Sequence, residues 1–180
     1  MADDISIKLA TSEDAAAVLQ FLRATASESD AVLVPHLNEI SEKTEAKNID
    51  LINQFDDCVI LLAMLSEEIV GMVTVMVLDH QPTTGELGVV VRKKYWRNGI
   101  GRLLVDEAEY WFNTYSSLEN LVLTVFEDNI PAIKLYQQLH FVTTGKTVEQ
   151  GRNVLQMQYD NKKEETNLFP LLFYFFLQFI

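Results

Sequence analysis

E-L-G-V-V-V-R-K-K-Y-W-R-N-G-I-G, residues 86–101, runs from an apolar strand into a glycine-punctuated turn, and a helix follows to about Asn113. In that helix Ile100, Leu103, Leu104, Ala108, Trp111 and Phe112 recur at helical spacing on one face. A helix begins with backbone N–H groups that have no partner inside it, and its dipole places partial positive charge there. Gly99 and Gly101 lack a Cβ, so they can take left-handed dihedrals and let backbone amides approach a pyrophosphate closely. Arg92, Lys93, Lys94, Arg97 and Arg102 crowd around this turn in a chain whose formal net charge is -12. A dinucleotide fingerprint would need a third glycine near Leu104, and a nucleotide P-loop would need Gly-Lys-Ser/Thr; neither is present.

Working outward, the upstream pattern predicts a strand over residues 5–9 and a helix capped by Thr11 or Ser12. That helix would run to about Thr25, with Ala15, Val18, Leu19, Leu22 and Ala26 inward. Residues 27–56 are polar and helix-prone without sharp boundaries. Residues 58–64 and 69–78 read as a hairpin turning at Ser66 to Glu68, and residues 86–91 as a third antiparallel strand after Pro82 to Gly85. Downstream come a strand over 121–126 and a helix opened by Asn129 and Pro131, with Ala132, Leu135, Tyr136 and Leu139 inward. Strands at 141–143 and 153–159 close the pattern, which predicts one α/β (α+β) domain over residues 1–160 with a mixed, mostly antiparallel central sheet flanked by helices.

Bulk properties agree with a folded domain: 180 residues suffice for one core, and 48% hydrophobic against 22% charged residues is ordinary for a globular chain. The net negative charge excludes broad nucleic-acid binding, which needs a wide basic face. Cys58, the single cysteine, excludes an internal disulfide and a cysteine-rich zinc site, and reads as ordinary core. No metal is expected. The start of the chain lacks a secretory pattern, and a cytoplasmic setting is expected.

The stretch 86–101 resembles the GNAT superfamily of acyl-CoA N-acyltransferases, which carries Q/R-x-x-G-x-G/A after such a strand. A second stretch, V-F-E-D-N-I-P-A-I-K-L-Y-Q-Q-L-H-F at residues 125–141, is similar to the block that follows in that family, N-x-x-A-x-x-L-Y-x-x-x-G-F. The resemblance covers roughly residues 5–159. Two departures stand out: Trp96 occupies a position where the family prefers Gln or Arg, and His140 stands at a glycine position, where it is expected to strain the turn.

The resemblance implies an acetyl-CoA-dependent N-acetyltransferase in which an amine attacks the acetyl carbonyl directly, so that no enzyme nucleophile is required. It assigns Val89, Val90 and Val91 to the pantetheine arm through their backbone, Arg97, Asn98, Gly99, Ile100, Gly101 and Arg102 to the pyrophosphate, and Asn129 to the cofactor. Tyr136 would sit near the thioester sulfur. A lysine-like amine is protonated at neutral pH, and freeing it costs roughly 4.6 kcal/mol. A base or a proton-conducting water chain is therefore needed, and Glu86, where the family often has a carboxylate, is the candidate base; Asp79, His80, His36 or none of these are the alternatives. Transferring the Tyr136 proton outright to a thiolate would run uphill by roughly 2 kcal/mol, so hydrogen-bond donation to the leaving sulfur is the safer role. The other reading of the same features is a non-catalytic acyl-CoA-binding sensor.

The acceptor would be an amine read by residues 26–56, where His36 and Glu39 are candidate contacts. Beyond a charged spacer at 161–167, the apolar run L-F-P-L-L-F-Y-F-F-L-Q-F-I at 168–180 has no part in the motifs. Its length and Pro170 argue against a spanning helix. Packing on the domain or a homodimer contact is favoured over contact with a membrane.

Overall fold

The computed structural model describes residues 5–28, 36–149 and 151–160. The apolar tail and the spacer before it lie outside these residues, as do the readings attached to them. The described chain forms β1 (Ile5–Leu9), α1 (Ala15–Glu28), α2 (Glu42–Ile52), β2 (Val59–Leu65), β3 (Glu68–Leu78), β4 (Gln81–Val91), α3 (Ile100–Thr114), β5 (Asn120–Phe126), α4 (Ile130–Gln138), β6 (Phe141–Glu149) and β7 (Arg152–Tyr159). The strands form a single sheet in the order β1-β2-β3-β4-β5-β7-β6. Every pairing is antiparallel except β4 with β5. The expected mixed α/β architecture is the observed one.

Alternation along the strands builds two cores, because successive side chains point to opposite faces. Val73, Val75 and Leu87 face a cluster with Leu104, Ala108, Phe112, Ile133 and Tyr136, which places α3 and α4 on one side. Ile60, Leu62 and Met72 face Val18, Leu22 and Ile49, which places α1 and α2 on the other. Gly71 sets how closely α3 approaches: a Cβ there would lie 2.8 Å from Leu104 Cδ1 and 3.1 Å from Ile100 Cγ2, so the first turn of α3 rests directly on β3.

Several boundaries differ from those read off the sequence. β4 starts at Gln81 rather than Glu86, because β3 and β4 are joined by only Asp79 and His80, with His80 at φ 66° and Leu78 facing Gln81. Pro82 is tolerated since it lies before Thr84–Glu86, the stretch bonded on both sides. α1 extends to Glu28 and buries Phe21 and Thr25 instead of Ala26; the Thr25 hydroxyl donates to the carbonyls of Phe21 and Leu22, both at 3.0 Å. The polar segment 27–56 contains α2, capped by Ser41, whose Oγ accepts from the Thr44 N–H at 3.1 Å. β6 runs on to Glu149. His140 does adopt a left-handed conformation, at φ 65°. No described helix is long and apolar enough to cross a membrane.

Candidate active site

β4 ends at Val91, and the chain then turns through Lys93–Tyr95 before α3 begins at Ile100. Arg97 has φ 65° and Gly99 has φ 80°, so two left-handed residues bend the chain into the helix. The Leu103 N–H donates to the Gly99 carbonyl at 3.0 Å, the first bond of the helix. No backbone N–H from Arg97 to Arg102 donates to another group among the described residues. These amides, at the positive end of a helix of 15 residues, suit a phosphate. Gly101 does not use its left-handed freedom: it sits within the helical turn, where a Cβ would meet Leu135 Cδ2 at an ordinary 3.5 Å. Only Gly99 is required by backbone conformation.

Trp96 braces this turn: its indole Nε1 donates to the Val91 carbonyl at 2.7 Å, while the ring is about half exposed. That bond occupies the Val91 carbonyl, which narrows the backbone groups free for a ligand to those earlier on β4. The five basic residues also separate in role. Arg92 Nε donates to Glu28 Oε1 at 2.9 Å, and Lys94 pairs with Glu68 at 2.9 Å. Arg102 lies 3.5 Å from Asp106. Lys93 and Arg97 have no carboxylate partner among the described residues, and they remain for an incoming anion. Glu28 also accepts from the Lys93 backbone N–H at 2.8 Å, and this bond, together with Arg92, holds its carboxyl below the ordinary carboxylate value. Glu68 is lowered likewise by Lys94 and by the Tyr95 hydroxyl, which donates to it at 3.1 Å.

The cavity beside the turn exists because two strands part. β4 and β5 pair only over Thr84–Glu86 and Asn120–Val122, and beyond that register they have no ladder bonds to each other. A cavity of about 490 Å³ opens there, lined by Val89 and Val90 of β4, Val125 and Phe126 of β5, and Asn129 and Tyr136 of α4. Asn129 caps α4, its Oδ1 accepting from the Ala132 N–H at 3.3 Å, which places its side chain at the cavity wall. Tyr136 is only 7% exposed and packs edge-on against Phe141, with ring centroids 5.9 Å apart. Burial pushes its phenol up to about 12, and its hydroxyl has no hydrogen-bond partner among the described residues. A protonated donor therefore lines the cavity.

Glu86 is not at the start of its strand. It lies mid-strand between Met76 of β3 and Val122 of β5, half-buried, with Oε1 accepting from Thr124 Oγ1 at 3.3 Å. Thr124 lines the cavity and Glu86 stands behind it. His36, Asp79 and His80 are exposed, and none lines the cavity; His36 Nδ1 instead lies 3.2 Å from Glu39 Oε1. Cys58 is half-buried, its Sγ accepting from the Val77 N–H at 3.5 Å, and burial pushes its thiol up, as suits an unreactive side chain. Among the described residues no group of three or more His, Cys, Asp or Glu is placed to hold a metal ion.

The cavity wall also contains residues that the sequence alone does not single out: Glu45 and Asn48 of α2, Thr74 of β3 and Glu149 at the end of β6. Glu45, Asn48 and Ile52 share a helix face by their spacing of three and four, which is the one signal that could have found the first two. Glu149 carries no such signal, because β6 had been expected to end at Thr143.

The model of the acetyltransferase (GNAT) family matches residues 26–141, which includes the turn, the parted strands and Tyr136. The chain belongs to this family. GNAT enzymes take their acetyl group from acetyl-CoA as co-substrate, and the free amides of residues 97–102 and the gap between β4 and β5 are features of this chain that fit its pyrophosphate and its narrow arm. A solved GNAT-family acetyltransferase from Streptococcus pneumoniae is 29% identical, with a TM-score of 0.77, covering 86% of this chain and 98% of that one. An L-amino acid N-acetyltransferase of Escherichia coli is 28% identical over 87 residues, 47% of this chain and 54% of the relative. A spermidine N(1)-acetyltransferase of Vibrio cholerae is 25% identical over 109 residues, 54% of this chain and 63% of the relative. The match thus spans little more than half the length of these curated relatives.

Proposed function

We propose that the protein transfers the acetyl group of acetyl-CoA to a primary amine by direct attack in a ternary complex. The observation that supports this most is the meeting, on one cavity, of the opening between β4 and β5 with the buried phenol of Tyr136. In this reading the pyrophosphate rests on the backbone amides of Arg97, Asn98, Gly99, Ile100, Gly101 and Arg102, with Arg97 adding charge. The pantetheine arm lies along the backbone of Val89 and Val90, beside Asn129. The amine arrives as an ammonium and gives one proton to Glu86 by way of Thr124 or a bridging water. Its nitrogen lone pair then forms a bond to the thioester carbon, and the carbon–sulfur bond breaks as the tetrahedral intermediate collapses. Tyr136 donates a hydrogen bond to the departing sulfur, and the second nitrogen proton ends on the thiol of free coenzyme A. A phenol raised to about 12 stays protonated as this charge develops, so it stabilises the leaving group as a donor without being consumed.

One of the curated relatives is named for an amino acid acceptor and the other for a polyamine. Likeness alone therefore does not select one. The test is release of free thiol from acetyl-CoA against a panel of amines, peptides and aminoglycosides. Release with at least one of them is expected. Tight acetyl-CoA binding without release from any acceptor would replace this reading by that of a non-catalytic sensor.

A further inference from the structure

Resting on that reading, we infer that the acceptor is an alkyl amine with a second cationic group at the far end of its chain, as in a diamine or polyamine, and that Glu45 and Glu149 select for it. The part of the cavity away from Tyr136 is walled by apolar side chains, Val18 and Leu22 of α1, Ile52 of α2, and Met72 and Met76 of β3. Such walls accept methylene groups and offer nothing to a peptide backbone. Two carboxylates, Glu45 and Glu149, line the same cavity, and no lysine or arginine does so among the described residues. Glu28, Glu68, Asp106, Glu127 and Asp128 each have a lysine or arginine within 4 Å, whereas Glu45 and Glu149 have none among the described residues. Among the described residues the Glu45 carboxylate accepts only from the Asn48 side-chain amide, at 3.5 Å.

An α-amino acid would bring its own carboxylate into this setting, where no described cation lines the wall to receive it and two anions repel it. The Tyr136 hydroxyl, more than nine-tenths buried and without a partner, opens on the same cavity and marks the reacting end independently of these acids. An amine presented to Tyr136 and a second cation held by either carboxylate of the same cavity, joined by methylenes, satisfies both.

Three acceptors of similar length separate the possibilities by end group alone: n-pentylamine, 1,5-diaminopentane and 6-aminohexanoate. With saturating acetyl-CoA, thiol release should give kcat/KM for the diamine about ten-fold above n-pentylamine, with 6-aminohexanoate the poorest of the three. Glu45→Gln and Glu149→Gln should each lower the ratio of diamine to pentylamine by about three-fold, while the affinity for acetyl-CoA, measured by calorimetry, shows that the cofactor side still folds. A ratio near one, a ratio untouched by both substitutions, or 6-aminohexanoate equal to the diamine would overturn the inference. Release from other amines of the wider panel but from none of these three would overturn it alone. Release from no amine at all would take the underlying acetyltransferase reading with it.

Discussion

In the proposed reading the cofactor side is assembled from neighbours in sequence, Val89 to Arg102, whereas the acceptor side takes Leu22, Glu45, Asn48 and Glu149, which line the cavity, from three elements, α1, α2 and β6. The first works by conformation. Two left-handed residues turn the amides outward, one indole pins the turn to β4, and a glycine on β3 lets α3 come close enough to present them. The second works by side-chain identity, since Glu45 and Glu149 bring charge to a cavity lined otherwise by uncharged residues. A substitution on the cofactor side should therefore act through geometry, and one on the acceptor side through charge.

Tyr136 lines the same cavity, and its removal is the most damaging test of that division. Tyr136→Phe should lower kcat by about 30- to 100-fold with the dissociation constant of acetyl-CoA nearly unchanged. Because burial raises the phenol to about 12, the donor stays protonated below that value, so wild type and variant should share the same pH profile up to pH 10. An alkaline limb below pH 10 that vanishes in the variant would show the phenol titrating as an acid.

Gly99→Val comes next. A β-branched residue at φ 80° is strained whatever the space around it, and acetyl-CoA affinity should fall by about ten-fold or more. Gly101→Ala sharpens the same comparison, since its new methyl meets only ordinary contacts in the protein. Any loss of affinity there, with thermal stability retained, reads directly as interference with the bound pyrophosphate; equal losses at the two sites would mean that left-handed geometry is not what matters. Trp96→Phe keeps the ring and deletes the bond to the Val91 carbonyl, and should raise the KM for acetyl-CoA by about three-fold with kcat unchanged.

The smallest effect is expected at Glu28, which joins the end of α1 to the cofactor turn. Its carboxyl is held below the ordinary value of 4.5, so its contribution is present above that value and is lost as pH falls through the lowered one. Glu28→Gln should cost on the order of 1 kcal/mol at pH 7, and the gap to wild type should close on acidification below 4.5. A gap that stays constant with pH would remove the charge from the explanation.

Reading the chain one segment at a time found the elements that are periodic and the turn that is punctuated by glycine. It singled out Asn129 and Tyr136, which line one cavity, and Gly99, whose backbone is left-handed, because their spacing resembles a family pattern. It left Gly99 and Gly101 alike, whereas only Gly99 is left-handed, and it put Glu86 at a strand start, because a proline ahead of it looked like a boundary. A two-residue hairpin turn made that proline part of β4, and Glu86 moved behind Thr124.

By itself, then, the sequence determined the α/β alternation, the helix start that presents free amides, and the family. These follow from local periodicity and from residues within one turn of each other. Only the tertiary structure decided that β4 and β5 part after Glu86 and Val122, and that Glu45 of α2 and Glu149 of β6 line one cavity with Tyr136. No local pattern encodes either fact, since strand register and the packing of α2 against the sheet are set by contacts between segments far apart in the chain.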